Sequence, residues 1–175
     1  MKNNIVLIGF MGCGKSSVGA HLADFFHYPM IDTDQWIEKE ASQTISDIFA
    51  TNGETYFRQL EREAIVTLSE SLSKTIVSTG GGLPIQEGNG DLLKKVGLVV
   101  YLKVSKETVL QRLKGDTTRP LLQGENVEQK VEELLNFRSP IYEKTADVTV
   151  VVDGKDFSEI VQEIADVYRH KFHEI

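Results

Sequence analysis

The stretch Ile5-Val6-Leu7-Ile8-Gly9-Phe10-Met11-Gly12-Cys13-Gly14-Lys15-Ser16 decides the fold. Its first four residues are a wholly apolar run rich in β-branched side chains, the pattern of a strand buried on both faces. From Gly9 it matches G-x-x-x-x-G-K-[ST] in full, and a helical stretch follows from about Lys15 to Phe26, with Val18, Leu22 and Phe25/Phe26 as its apolar stripe. Strand, glycine loop and helix in that order are the context that gives the motif its meaning. The glycines let backbone N–H groups converge on phosphate oxygens with no Cβ in the way. The helix points its N-terminal partial charge at the same anion. Lys15 adds a point charge for the β- and γ-phosphates, and the Ser16 hydroxyl is placed to join an Mg²⁺ shell. Gly12, Cys13, Gly14, Lys15, Ser16 and Ser17 are therefore the candidate nucleotide-binding residues. Cys13 reads as a small loop residue.

On either side of this loop, short apolar runs alternate with longer amphipathic stretches. Pro29 to Ile31 reads as a second strand ending in Asp32-Thr33-Asp34, and Trp36 and Ile37 open a helix. Ile45, Ile48 and Phe49 space a short helix closed by Asn52-Gly53; Leu60, Ala64, Ile65 and Leu68 mark a long one. Thr75 to Ser78 is a third strand, stopped by Gly80-Gly81-Gly82, with a short helix at Leu92 and Leu93. Gly97 to Leu102 is the fourth strand, and Val109, Leu110 and Leu113 mark the next helix. Gly115 to Gln123 is polar and aperiodic, an exposed loop. Val127 to Tyr142 is helical by spacing, Val148 to Val152 a fifth strand, and Phe157 to Tyr168 a last helix. Such alternation predicts right-handed βαβ units and a parallel sheet covered on both faces.

The 175 residues suit one domain, and the mix of 41% apolar and 26% charged residues is that of a globular protein. The lone cysteine excludes an intrachain disulfide. The N-terminal apolar run meets Gly and Lys rather than a cleavage site, so it reads as a strand and not a signal peptide. No run approaches the roughly 20 apolar residues of a membrane span, and the expected location is cytoplasmic. The net charge of −7 argues against a nucleic-acid backbone as partner.

Two further segments fall at strand ends, where ligands gather in open parallel sheets. In Ile31-Asp32-Thr33-Asp34, one carboxylate is able to face Mg²⁺ and its waters while the other faces a substrate hydroxyl as its base; a plain helix cap is the competing reading. Thr79-Gly80-Gly81-Gly82 allows a close backbone approach by a ligand, or is simply a loop. A regulatory GTPase would carry an Asn-Lys-x-Asp guanine reader, and the chain has none.

The ordered set of GFMGxGKS at Gly9 to Ser16, DTD at Asp32 to Asp34, FRxxE at Phe57 to Glu61, STGGG at Ser78 to Gly82, RPLL at Arg119 to Leu122, and Arg138 followed by Pro140 and Tyr142-Glu143 resembles the shikimate kinase family, from Asn4 to about Val150. The resemblance implies a three-layer α/β/α P-loop kinase fold, with a five-stranded parallel sheet of order 2-3-1-4-5. It also implies one kinase domain over 1–175, a mobile lid at about 112–126 and a shikimate-binding segment at about 32–62. The implied activity is ATP-dependent phosphorylation of the 3-hydroxyl of shikimate, on the route to chorismate and the aromatic amino acids, with Mg²⁺, in a monomer.

By this resemblance Asp34 contacts the reacting hydroxyl and Asp32 is oriented toward Mg²⁺ through water. Arg58 and Arg138 hold the shikimate carboxylate, and Gly80, Gly81 and Gly82 meet the ring. Arg119 is the lid arginine that reaches the phosphates, and Arg112 lies beside adenine. The residue types suit these roles. A planar carboxylate calls for guanidinium forks. Charge spread over a transferring phosphoryl group calls for cations such as Lys15 and Arg119.

The loop after the fifth strand, Val152-Asp153-Gly154-Lys155-Asp156, departs from the family pattern in lacking Pro; Lys155 is its candidate for flanking the base. Four of the six arginines, with Lys15, fall at ligand positions, so an acidic body around a basic pocket is expected. His170 and His173 have metal-like spacing but sit among charged residues at the end of the sequence, and read as a solvated tail. The competing readings are a gluconate or nucleoside monophosphate kinase of the same fold, or a nucleotide-binding module without acceptor chemistry.

Overall fold

The computed structural model describes residues 2–114 and 126–173. Strand β1 (Ile5–Ile8) leads through the glycine loop into helix α1 (Lys15–Phe26), and β2 (Met30–Asp32) runs directly into α2 (Thr33–Ala41). Helix α3 (Ile45–Ser71) precedes β3 (Ile76–Ser78), a 3₁₀ turn (Leu83–Ile85), α4 (Asn89–Val96) and β4 (Leu98–Lys103). Then come α5 (Lys106–Leu113), α6 (Val127–Thr145), β5 (Val148–Val151) and α7 (Phe157–Phe172).

The five strands form one parallel sheet of order β2-β3-β1-β4-β5. Central β1 pairs Ile5 with Ile76 of β3 and with Leu98 of β4. All four of its side chains are fully buried, each worth about 1.5–3 kcal/mol of transfer free energy. α1 packs on the sheet and on α7; α4 and α6 pack on β4. This is the expected three-layer α/β/α P-loop kinase fold. Burial on both faces holds for β1, β3 and most of β4, whereas β2 is half-buried and β5 exposes Thr149 and Val151. Each of those two is an edge strand, with a neighbour on one side in the sheet order.

Two element boundaries differ from the sequence reading for identifiable reasons. α2 begins at Thr33, ahead of Trp36, because the Asp32 carboxylate caps it from the last residue of β2. The short helix and the long one on either side of Gly53 run on as α3, broken at Gly53, whose φ of 82° and ψ of 175° are not helical. Among the described residues the apolar side chains form two clusters. The main one follows the sheet; a smaller one joins Ile37, Ile48, Phe57 and Ala64 of α2 and α3, with Trp36, Ile45 and Leu60 against it. Among the described residues no helix is long and apolar enough to cross a membrane.

Candidate active site

All five strands deliver their carboxyl ends to one edge of the sheet, and a cleft of about 700 Å³ lies there. That volume suits a small-molecule site. Met11 to Ser17 line its floor, so Gly12, Cys13, Gly14, Lys15, Ser16 and Ser17 are brought together as expected. Gly14 precedes α1 at φ 95°, a conformation that side chains other than glycine's rarely adopt. Lys15 Nζ donates to Gly9 O (2.8 Å) and Phe10 O (3.1 Å), which holds the ammonium across the loop. Cys13 is buried, its Sγ 3.6 Å from Lys15 Nζ.

Asp32 and Asp34 line the same cleft but are held differently. Asp32 Oδ1 accepts from Asp34 N–H (2.9 Å) and Gln35 N–H (3.1 Å), so Asp32 is the helix cap. Asp34 is freed from that task. Its Oδ1 is buried with no hydrogen-bond partner among the described residues, and burial first, then the charge of Asp32, push its carboxyl up to about 6 against the pull of Lys15. A buried carboxylate oxygen without a donor is costly unless a ligand supplies one.

The glycines after β3 make room for these side chains. A Cβ on Gly80 would stand 2.6 Å from Asp34 Oδ1, and one on Gly82 would stand 2.5 Å from Arg58 Nη1. Gly80 and Gly81 line the cleft. Arg58 and Arg138 stand beside the glycine segment, outside the lining of the cleft. Arg138 is buried on α6, over the Phe10 ring at 5.9 Å.

The pocket is not simply basic. Arg58 Nη1 donates to Glu61 Oε2 at 2.7 Å, and its Nη2 to Glu54 Oε1 at 3.1 Å. Burial raises the Glu61 carboxyl to about 7, in spite of the Arg58 contact. The expected basic pocket thus also carries the carboxylates of Asp32 and Asp34, and two of its expected cations, Arg58 and Lys155, are paired with glutamates.

On the opposite side, Arg112 at the end of α5 donates from Nη1 to Gly12 O at 2.8 Å. Lys155 also lines the cleft, its Nζ 2.5 Å from Glu163 Oε2. Arg119 and most of the expected lid lie outside the described residues.

Three residues of the site belong to the sequence motifs but have roles that only the fold reveals. Glu61 orients Arg58. Thr33 Oγ1 accepts from Gly80 N–H at 3.0 Å, and the Tyr142 hydroxyl donates to Gly81 O at 2.6 Å, so both anchor the glycine segment. The i,i+3 spacing of Arg58 and Glu61 is a usable signal; nothing local marks the contacts of the other two.

Among the described residues no cluster of three or more His, Cys, Asp and Glu side chains forms a metal cage. The hard oxygens of Ser16 and Asp32 on one cleft fit an ion that arrives with its phosphates.

The shikimate kinase family model matches residues 11–169. A shikimate kinase of Sulfurihydrogenibium sp. is 45% identical over 161 residues, covering 92% of this chain and 95% of that protein. One from Caldanaerobacter subterraneus subsp. tengcongensis is 39% identical over 165 residues, covering 94% and 95%. Among solved structures, shikimate kinase from Acinetobacter baumannii in complex with shikimate superposes with a TM-score of 0.89 at 38% identity, covering 98% of this chain and 95% of that one. With this sheet order, this phosphate loop and these matches over nearly its whole length, the chain belongs to the shikimate kinase family.

Proposed function

We propose that the chain transfers the γ-phosphoryl group of ATP to the 3-hydroxyl of shikimate, giving shikimate 3-phosphate and ADP, and that the residues above divide the work as follows. The observation that carries this is the position of Asp34: one buried, unpartnered carboxylate oxygen lies between the phosphate loop and the Arg58/Arg138 pair. The N–H groups of Gly12 to Ser17 and the start of α1 bind the phosphates. Lys15 balances charge on the transferring group. Arg58 and Arg138 take the shikimate carboxylate, and Gly80, Gly81 and Gly82 meet its ring. Arg112 and Lys155 flank the nucleoside. Arg119 completes the phosphate shell from the lid.

With its pKa at about 6, Asp34 is mostly ionised at neutral pH and accepts the hydrogen of the attacking hydroxyl. A loose transition state needs little more than that orientation. Ser16 and Asp32 would hold Mg²⁺, Asp32 through water. The ion, when bound, offsets charge on the β- and γ-phosphate oxygens.

The deciding experiment is an ATP-coupled assay across shikimate, gluconate and AMP. Turnover with shikimate alone is expected; comparable turnover with gluconate or AMP overturns the acceptor assignment. ATP binding with no phosphorylation of any acceptor would leave a nucleotide-binding module.

A further inference from the structure

The side of the cleft away from Asp34 is built from two segments that leave neighbouring strands. One is α5, which follows β4 and carries Arg112. The other is the loop after β5, of which Val152, Lys155 and Asp156 line the cleft beside Phe157, the first residue of α7. The ladder between the two strands ends in a bond from Val152 N–H to Lys103 O (2.9 Å). Beyond it the segments are joined by the carboxylate of Asp153. Its Oδ1 accepts from the Ser105 hydroxyl (2.7 Å) and the Thr108 hydroxyl (2.5 Å), and its Oδ2 accepts from Ser105 N–H (3.0 Å). Burial would raise this carboxyl, but the hydroxyl and N–H donors outweigh it and hold it below the usual range.

The same Ser105 caps α5, its Oγ accepting from Thr108 N–H at 3.2 Å. Asp153 therefore grips the first turn of a helix whose last turn carries Arg112. Ser105 and Arg112 are about two helical turns apart, roughly 10 Å of rigid rod. At the far end, Arg112 Nη1 bonds Gly12 O at 2.8 Å, 3.5 Å from where a Gly14 Cβ would stand. The loop itself is held by Lys155 on Glu163 and, at Phe157, by stacking on His21 at 4.5 Å.

From this geometry we infer that Asp153 is a positioning residue for the nucleotide: it sets the loop after β5 against α5 and so places Arg112 at the phosphate loop. The inference rests on the reading that this cleft takes ATP. The side-chain bonds of Asp153 run to Ser105 and Thr108, not to the phosphate loop or the acceptor pocket, so its effect is confined to the nucleotide.

The test uses the full-length protein, with ADP titrated by calorimetry and KM measured for both substrates. Asp153→Ala is expected to weaken ADP and raise KM for ATP by about three- to thirtyfold, the range for residues acting through a packed intermediary. KM for shikimate should change less than twofold. Thr108→Val should give a smaller loss of the same kind, and Thr108→Ser, which keeps the hydroxyl, should restore wild-type affinity. These Thr108 variants decide the matter if Asp153→Ala does not fold. Unchanged ADP affinity in the variants, with or without a lower melting temperature, overturns the inference. So does an equal rise in both KM values. If the wild type binds ADP but phosphorylates no shikimate, the acceptor assignment fails while this test still stands; if the wild type binds no ADP, both fall.

Discussion

One side of the cleft is built on a contiguous loop between a central strand and its helix; the other is assembled from side chains that three separate helices bring together. The phosphate loop hangs from β1, whose four side chains are fully buried in the main core, and α1 follows it without a break. The proposed acceptor groups come from Asp34 on α2, Arg58 on α3 and Arg138 on α6. The first two are carried by helices that share the small cluster of Ile37, Ile48, Phe57 and Ala64. The phosphate half thus inherits the rigidity of the sheet. In the other half, Asp34 and Arg58 rest on this smaller cluster and on the pairing of Arg58 with Glu54 and Glu61, while Arg138 sits on α6 among residues of the main core.

The sharpest way to break this contrast is Asp34→Asn. Turnover should fall about 100- to 10,000-fold, the usual worth of a positioned proton acceptor, while ADP binding survives. The same variant should be more stable. A buried carboxyl raised from 3.8 to about 6 binds protons more readily folded than unfolded, so it destabilises the fold above its raised pKa and ceases to do so as pH falls toward 4. Removing the charge should therefore raise stability near pH 7 by up to about 3 kcal/mol, because each tenfold change in proton affinity is worth about 1.4 kcal/mol. Retained turnover, or a lower melting temperature, would remove Asp34 from its role.

Next in size, Arg138→Ala should raise KM for shikimate about ten- to a hundredfold, the loss expected for charge-assisted hydrogen bonds, and leave KM for ATP within twofold. Equal losses would show that the halves are not separable. In the wild type, kcat/KM for shikimate should drop about fivefold between pH 6 and pH 5 as Asp34 protonates in the free enzyme, with the affinity for ADP flat over that interval. The mildest probe is Ile48→Val, which trims the small cluster at a cost of about 0.5–1.5 kcal/mol. It should raise KM for shikimate a few-fold and spare the nucleotide; a matched effect on both would mean that the two clusters behave as one core.

The same contrast explains what is legible in the sequence. The phosphate loop is contiguous, and its flanking strand and helix are marked by local periodicity, so Lys15 and Ser16 can be read from residue order. Asp34, Arg58, Gly80 and Arg138 become legible together only through their resemblance to a family, because nothing local links α2, α3 and α6. Thr33 and Tyr142 fall within the motifs, but their roles stay hidden, since these lie in contacts with Gly80 and Gly81 that exist only once the chain is folded. The aspartate pair is ambiguous in sequence for a related reason. Which member caps α2 depends on where the helix starts, and spacing places that start at Trp36 rather than Thr33.

The register of β1 bears on how the protein is made. Its ladder partners are Ile76 on one side and Leu98 on the other. During synthesis the phosphate-loop residues emerge before both neighbours of their strand, and cannot be fixed until β3 and β4 have followed. Pairings this distant in sequence are slow to close. Nucleotide therefore cannot template the early steps of folding, and a fragment ending before β4 should show no affinity for ADP even though every residue of the phosphate loop is present.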